Sequence, residues 1–378
     1  MKKLTIFFVF LAFFSCSQSK NQESFSYQKE ISYEIDTVKI DAKGEFLFLN
    51  YELSMSDYDP NTDLLYNINP QSSRMEIIDM EKQELKELIQ YDKDGPNAVK
   101  EMITTGIKMT DSGEMWFTDY LSIIHLDAQG QKLEQLRLTN EYFAGDTLPE
   151  GWEIDGMGKI TRSGKYFISH YGDYTVNGAG LQGLAFIDLK SHHKHLIPLD
   201  AFKSLEKYEI SSHERKSSVW SLITITDDEV LHYNQAHNKL YKIDLKTLEV
   251  TQKILRSDLI ANEKPGKYPK QANSTEQFEE FKTIMDQEIS FGNWIHDPEG
   301  DHFWRFSREK SGGTVDKPEF KVVITVLDKS LNQIAERKLD SKDSIPFFST
   351  KFFRKGDLYM FLNMNDELAF VRLKPVLN

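Results

Sequence analysis

The sequence predicts an all-β protein, a six-bladed β-propeller, and three observations carry that reading. From about residue 30 the chain consists of short runs rich in Tyr, Phe, Ile, Val and Thr, separated by Gly, Asp, Asn and Ser, the pattern of strands punctuated by tight turns. A unit recurs along it: a short strand, a polar turn, a second strand heavy in aromatics, a third often ending in an apolar residue and Asp, and a fourth. IKMTDSGEMWF with SIIHLDAQGQKLEQLRL is one copy, and ITRSGKYFISH with LAFIDLKSHHKHLIPL is the next. The turn positions Thr62, Gly113, Gly164, Asp228, Gly300 and Gly356 are spaced by 51, 51, 64, 72 and 56 residues. Four antiparallel strands per unit at a long period point to a propeller, whose radial repetition leaves only short sheet edges.

The N-terminal element is a targeting signal. Lys2 and Lys3 precede the apolar run LTIFFVFLAFF at residues 4–14, and Ser15 and Cys16 follow. At about 1.5 Å per residue this run falls well short of the roughly 30 Å hydrocarbon core, so it reads as a signal peptide (1–15) and not as a span. Its position directly before Cys16, the single cysteine, resembles a bacterial lipoprotein signal, in which that thiol is acylated. The alternative is plain secretion with a chance cysteine. Ser17, where an Asp would favour inner-membrane retention, points by the same resemblance to the outer membrane of a Gram-negative envelope. Residues 16–29 are polar and rich in Ser and Gln, suiting a flexible tether.

Residues 30–378 form the propeller domain. The last unit, KFFRKGDLYMF with ELAFVRLKP, has only three strands, and ISYEIDTVKID at residues 31–41 belongs to no unit of its own. The early run therefore supplies the missing strand and closes the ring. Residues 273–288 (NSTEQFEEFKTIMDQE) break the β pattern. Ser274 and Gln277 have capping-box spacing, and Phe278, Phe281, Ile284 and Met285 recur on one face, so a helical insertion packs on the propeller here. Long loops run over residues 141–158 and 200–217.

Composition removes several function classes. Acidic residues number 59 against 46 basic, giving a net charge of −13, which argues against nucleic acid as a partner. Loss of residues 1–15 removes two lysines and no acid, so the mature charge is −15; a body that acidic is held at a membrane by lipid and not by anionic head groups. One cysteine excludes a disulfide scaffold and any multi-cysteine metal site. No GxSxG, HExxH, GxxxxGK or GxGxxG motif is present, and no cofactor is expected.

The lipoprotein signal, the apolar-Asp motif of the units and the segment DGPNAV before the second unit together resemble a family of bacterial envelope lipoproteins. These have TolB-like six-bladed propellers and are grouped as a domain of unknown function. The resemblance implies the fold and the anchor, and it implies no activity.

Three polar clusters read as turn chemistry. Asp57, Asp59, Asn61 and Asp63 alternate as at the start of a calcium loop, but Thr62 stands where the sharp-turn Gly belongs and Ile68 where the bidentate Glu belongs. His192, His193 and His195 crowd one turn and lack ligands converging from other elements. Asp297 and Asp301 flank a turn glycine, and His170 and His232 sit in second strands as packed histidines.

The site expectation comes from geometry. The innermost strands of a propeller line its channel, and the loops leading into them gather on one face. Those loops carry Asn97 and Glu101, then Trp152, Glu153 and Asp155, then His213, Arg215 and Trp220, then Asn293 and Trp294, and finally Lys351. Trp152, Trp220 and Trp294 are three of the five tryptophans, and an indole offers rigid contact area suited to sugar faces and protein hot spots. The competing reading packs the indoles between blades. Two functions remain open: a non-catalytic lipoprotein whose propeller face binds a partner protein or a glycan, and a lactonase-like hydrolase or lyase with a metal-assisted site at the channel mouth.

Overall fold

In a computed structural model the chain is a six-bladed propeller; the structure describes residues 27–92, 95, 98, 99, 104–174, 180–340, 343 and 345–378. The signal peptide, Cys16, most of the tether, Asn97 and Glu101 lie outside the described residues. The innermost strands of blades 1 to 6 are Ser56–Asp59, Thr104–Met109, Lys159–Ile160, Ser221–Ile225, Ser290–Asp297 and Lys351–Arg354. Each pairs antiparallel with its second strand through the turn expected from the sequence spacing. At Gly164 that turn has φ of +68°, a conformation that glycine adopts without the Cβ clash.

The ring closes as expected. The early strand Ile31–Lys39 is the outer strand of blade 6, paired with Glu367–Leu377 from Ile31↔Leu377 to Lys39↔Ala369. Arg372 of the last strand holds Asp36 of the first through two bonds of 2.8 and 2.6 Å. In consequence the chain enters and leaves the propeller on the face that bears the hairpin turns. Tyr27, just before the first strand, donates from its hydroxyl to Glu336 at 2.8 Å on that side.

The core is distributed, with an apolar cluster at each seam between blades. Period-two alternation builds it, because successive residues of a strand face opposite neighbours. Phe167 packs toward blade 2 with Trp116 and Ile123, whereas the adjacent Ile168 packs toward blade 4 with Val230 and Ile243. The closing seam holds Val38, Phe361 and Phe370 of blade 6 against Leu65 and Ile78 of blade 1.

The insertion is the helix Thr275–Gln287, with Ser274 accepting from the Gln277 amide and the Gln277 side chain accepting from Asn273 N–H at 2.9 Å. Phe278 and Met285 are buried in the seam of blades 3 and 4, and Phe281 and Ile284 pack against it. The stripe is therefore core packing, as its spacing indicates.

The same seam holds an imidazole pair, His232 buried and His170 half-buried. His170 and His232 lie with ring centres 5.5 Å apart beside Phe202, and among the described residues neither nitrogen of His232 nor Nε2 of His170 has a polar partner. Burial lowers the pKa of His170 to about 4 and that of His232 well below its ordinary value. The unfolded chain takes up protons on these rings near pH 6.5, and the folded protein does not until well below that. Stability therefore falls as pH drops from 6.5 toward 4, by up to about 1.4 kcal/mol per pH unit for each histidine. A variant carrying His170→Leu and His232→Leu should lose less stability than wild type between pH 7 and pH 5 in denaturant unfolding. Parallel losses in the two proteins would contradict the assignment.

Candidate functional site

One cavity of about 1950 Å³ runs along the propeller axis and is lined by the inner strands of all six blades. Its wall has a register. Asp57, Lys108, Lys159 and Lys351 occupy the same position of the inner strand in blades 1, 2, 3 and 6, opposite Tyr66, Trp116, Ile168 and Met360 of the second strands. Blades 4 and 5 have the buried Ile223 and Ile295 there.

Neighbouring groups settle most of these charges. Lys108 donates from Nζ to Asp57 at 2.9 Å, and the other Asp57 oxygen accepts from Met109 N–H. At the turn face Arg162 of blade 3 bonds Asp111 of blade 2 at 2.7 Å and also Asp59 of blade 1, tying three blades together. Asp59 accepts from Asn61 N–H and Thr62, and Asp63 accepts from Arg354. This acidic run therefore serves turn and ion-pair chemistry. Asp297 likewise accepts from the amides of Glu299 and Gly300. Among the described residues no group of three or more His, Cys, Asp or Glu side chains is arranged to hold a metal ion.

Lys159 is different. It is exposed to the channel, and among the described residues it makes no hydrogen bond or ion pair. The encircling walls and the nearby Lys108 lower its pKa, although its surface stays open to channel solvent. The approach to it is built from two glycines. A Cβ on Gly156 would meet Asp119 O at 2.2 Å, and one on Gly158 would meet Phe167 at 2.3 Å. Only without side chains does this segment press against blade 2 at Gly156 and against the second strand of blade 3 at Gly158, delivering Lys159 to the axis.

The face where loops lead into the inner strands is open and aromatic. Trp220, Tyr51 and Phe348 line the cavity with 64%, 66% and 60% of their surfaces exposed, and Tyr120 and Met157 add to the rim. Arg308 also lines it, stacked 4.2 to 4.8 Å from the rings of Phe320, Phe347 and Phe348. Burial lowers its pKa, and among the described residues it has no ion pair.

Of the residues singled out from sequence, Trp220, Asn293, Trp294 and Lys351 border this cavity. Lys351 is half-buried, desolvation lowers its pKa to about 7, and its ammonium donates to Phe347 O at 2.7 Å and Ser349 O at 2.9 Å. Trp294 is only 2% exposed, and its ring stacks on the guanidinium of Arg305 at the seam of blades 4 and 5. Trp152 packs against Tyr171 in the seam of blades 2 and 3. For these two indoles the packing alternative holds. Asp155 is turned away from the channel and accepts from Met157 N–H, with burial raising its pKa. Arg215 clasps the inserted helix, bonding Glu279 at 2.7 Å and stacking on Phe278. His213 and Glu153 are exposed outside the channel lining. Lys159, Arg308, Tyr51 and Phe348 went unmarked by sequence reasoning. For Lys159 a signal existed: it lies 51 residues after Lys108 and five before its turn glycine, the same offset as Lys351.

A family model described as a domain of unknown function, DUF4221, matches residues 28–338. The chain belongs to the DUF4221 family. A crystal structure of a DUF4221 member from Bacteroides vulgatus superposes with a TM-score of 0.64 at 15% identity, covering 92% of this chain and 99% of that one. A Bacteroides fragilis protein described as exported superposes at 0.51 with 9% identity, covering 92% and 95%. At these identities the likeness shows a shared fold. No curated protein matches the sequence.

The Lys351 geometry makes a prediction for this DUF4221 protein. Lys351→Met removes the donors for two loop carbonyls and should cost about 1–3 kcal/mol in denaturant unfolding. A change within about 0.5 kcal/mol, the range of ordinary surface substitutions, would show that the ammonium does not hold the loop.

Proposed function

We propose that this DUF4221 protein is a lipid-anchored, non-catalytic envelope lipoprotein that binds a partner protein or a glycan at the channel mouth on its loop face. The observation that carries this reading is the set of rings at that mouth. Trp220, Tyr51 and Phe348 stand more than half exposed around a wide cavity. Large apolar groups gathered in water at one concave place mark a binding surface.

The anchor and the mouth are compatible. Cys16 follows an eleven-residue apolar run and Ser15, and acylation there by more than one chain gives stable attachment, since each buried methylene contributes about 0.8 kcal/mol. Tyr27 and the first strand meet the propeller on the turn face. Tethered from that face, the mouth points away from the membrane. The residues between Cys16 and Tyr27 allow a stand-off of up to about 36 Å when extended. Ser17 in place of Asp favours the outer membrane.

The test uses the protein at native level, solubilised gently from envelopes, with associated molecules identified by mass spectrometry. Wild type should carry a stoichiometric protein or glycan, and Trp220→Ala with Tyr51→Ala should lose it while remaining folded. Cys16→Ser should move the protein out of the membrane fraction and abolish palmitate labelling. Association unchanged in the aromatic variant would remove the mouth from consideration, and Cys16→Ser retained in membranes would remove the anchor.

A further inference from the structure

The channel inverts the charge of the molecule around it. The chain carries a net charge of −13, yet seven basic residues against five acidic ones line the cavity. Most of the basic groups are spent. Lys108 is held by Asp57, Arg162 by Asp59 and Asp111, and Lys282 by Asp286. Lys264 and Lys351 donate to main-chain carbonyls. Two cations remain that make no ion pair among the described residues: Lys159 on the inner strand of blade 3, which feels Asp57 only at longer range, and Arg308 of blade 5, framed by three phenylalanine rings and likewise feeling Asp286 only at longer range. In a ring of six, blade 3 faces blade 6, so Lys159 and Lys351 stand on opposite walls of the channel.

Unpaired cations inside low-dielectric walls focus a positive potential that the acidic exterior does not share. A polyanion with a charged outer footprint is repelled by that exterior, as duplex nucleic acid would be. A slender chain that threads the mouth is not, provided its anionic groups reach past the rim. The rim supplies aromatic faces at Trp220, Tyr51 and Phe348, and the exposed amide of Asn293. Rings beside an amide, with a cation below, match a sugar ring that bears a negative group.

We infer that the ligand of this mouth is an acidic glycan, a saccharide chain carrying carboxylate, sulfate or phosphate groups, with its anionic group received by Lys159 and its sugar faces on the rim aromatics. This rests on the mouth being the binding surface, as proposed above, and adds the chemical class.

The test is calorimetric titration of the full-length protein in detergent with four probes. These are an oligogalacturonate, a sulfated heparin-derived tetrasaccharide, neutral maltotetraose, and polyglutamate of matching charge. At least one acidic saccharide should bind, with affinity that weakens as salt is raised, and maltotetraose should bind at least about tenfold more weakly. Lys159→Ala should weaken acidic-saccharide binding by about tenfold, and Lys159→Arg should restore most of it, with the circular dichroism of both variants unchanged. Failure of both acidic saccharides to bind, or binding insensitive to Lys159→Ala, overturns the inference. Polyglutamate binding with the same dependence on Lys159 assigns an acidic peptide and overturns the glycan. The two claims fail separately. If Lys159→Ala leaves the envelope association intact and the Trp220→Ala, Tyr51→Ala variant abolishes it, the acidic ligand is wrong and the mouth stands. If neither variant affects it, both fall.

Discussion

The nine-residue ladder between Ile31–Lys39 and Glu367–Leu377 is the interaction on which the rest of the molecule depends. A propeller whose first and last blades do not join exposes a sheet edge and the two faces of one seam. Here that seam includes Val38, Leu65, Ile78, Phe361 and Phe370, all nearly or fully buried. Each such side chain contributes roughly 1.5–3 kcal/mol when buried, so together they exceed a large part of a typical domain stability. Closure is non-covalent and spans almost the whole chain. It therefore makes the fold cooperative in the sense that matters for the channel, because all six inner strands are fixed relative to one another only when the ring is shut.

Closure also sets two directions. Because the first strand is the outer strand of the last blade, the chain meets the ring on the turn face. The loops that lead into the inner strands are left free on the opposite face. The turn face is tied by ion pairs that cross blades: Arg162 with Asp59 and Asp111, and Arg354 with Asp63 and Glu81. The loop face has instead exposed rings and unpaired cations. One end is braced and the other is open, and the difference lies in side chains, since the backbone repeat is common to both.

The fold was legible because the repeat is written twice, in the turn spacing and in strand alternation. The first two intervals of 51 residues mark blades without insertions, and the longer 64 and 72 mark the segments that contain the 203–208 turn and the helix Thr275–Gln287. The closing strand was legible by subtraction. The site was legible only in part, because a tryptophan in a loop before a strand is the same letter whether it packs or projects. Trp220 projects, whereas Trp294 one blade later stacks on Arg305 and fills a seam. Arg215 resembled a ligand residue and serves the helix, a contact that joins positions 64 residues apart. Lys159 was visible in principle, at the offset it shares with Lys108 and Lys351. What the sequence does not encode locally is which of the three finds an anion, since that is decided by Asp57 one blade away.

Of the lysines described along the channel, Lys159 alone is held by neither a carboxylate nor a main-chain carbonyl. Competitive acetylation of the intact protein near pH 8, read lysine by lysine by mass spectrometry, tests this without knowledge of any ligand. An unpaired lysine with a lowered pKa and an open surface presents more free amine than one held by a carboxylate. The account predicts that Lys159 is acetylated well ahead of Lys108. Protection of Lys159 equal to that of Lys108 would mean that its charge is already met within the protein, and would contradict the account.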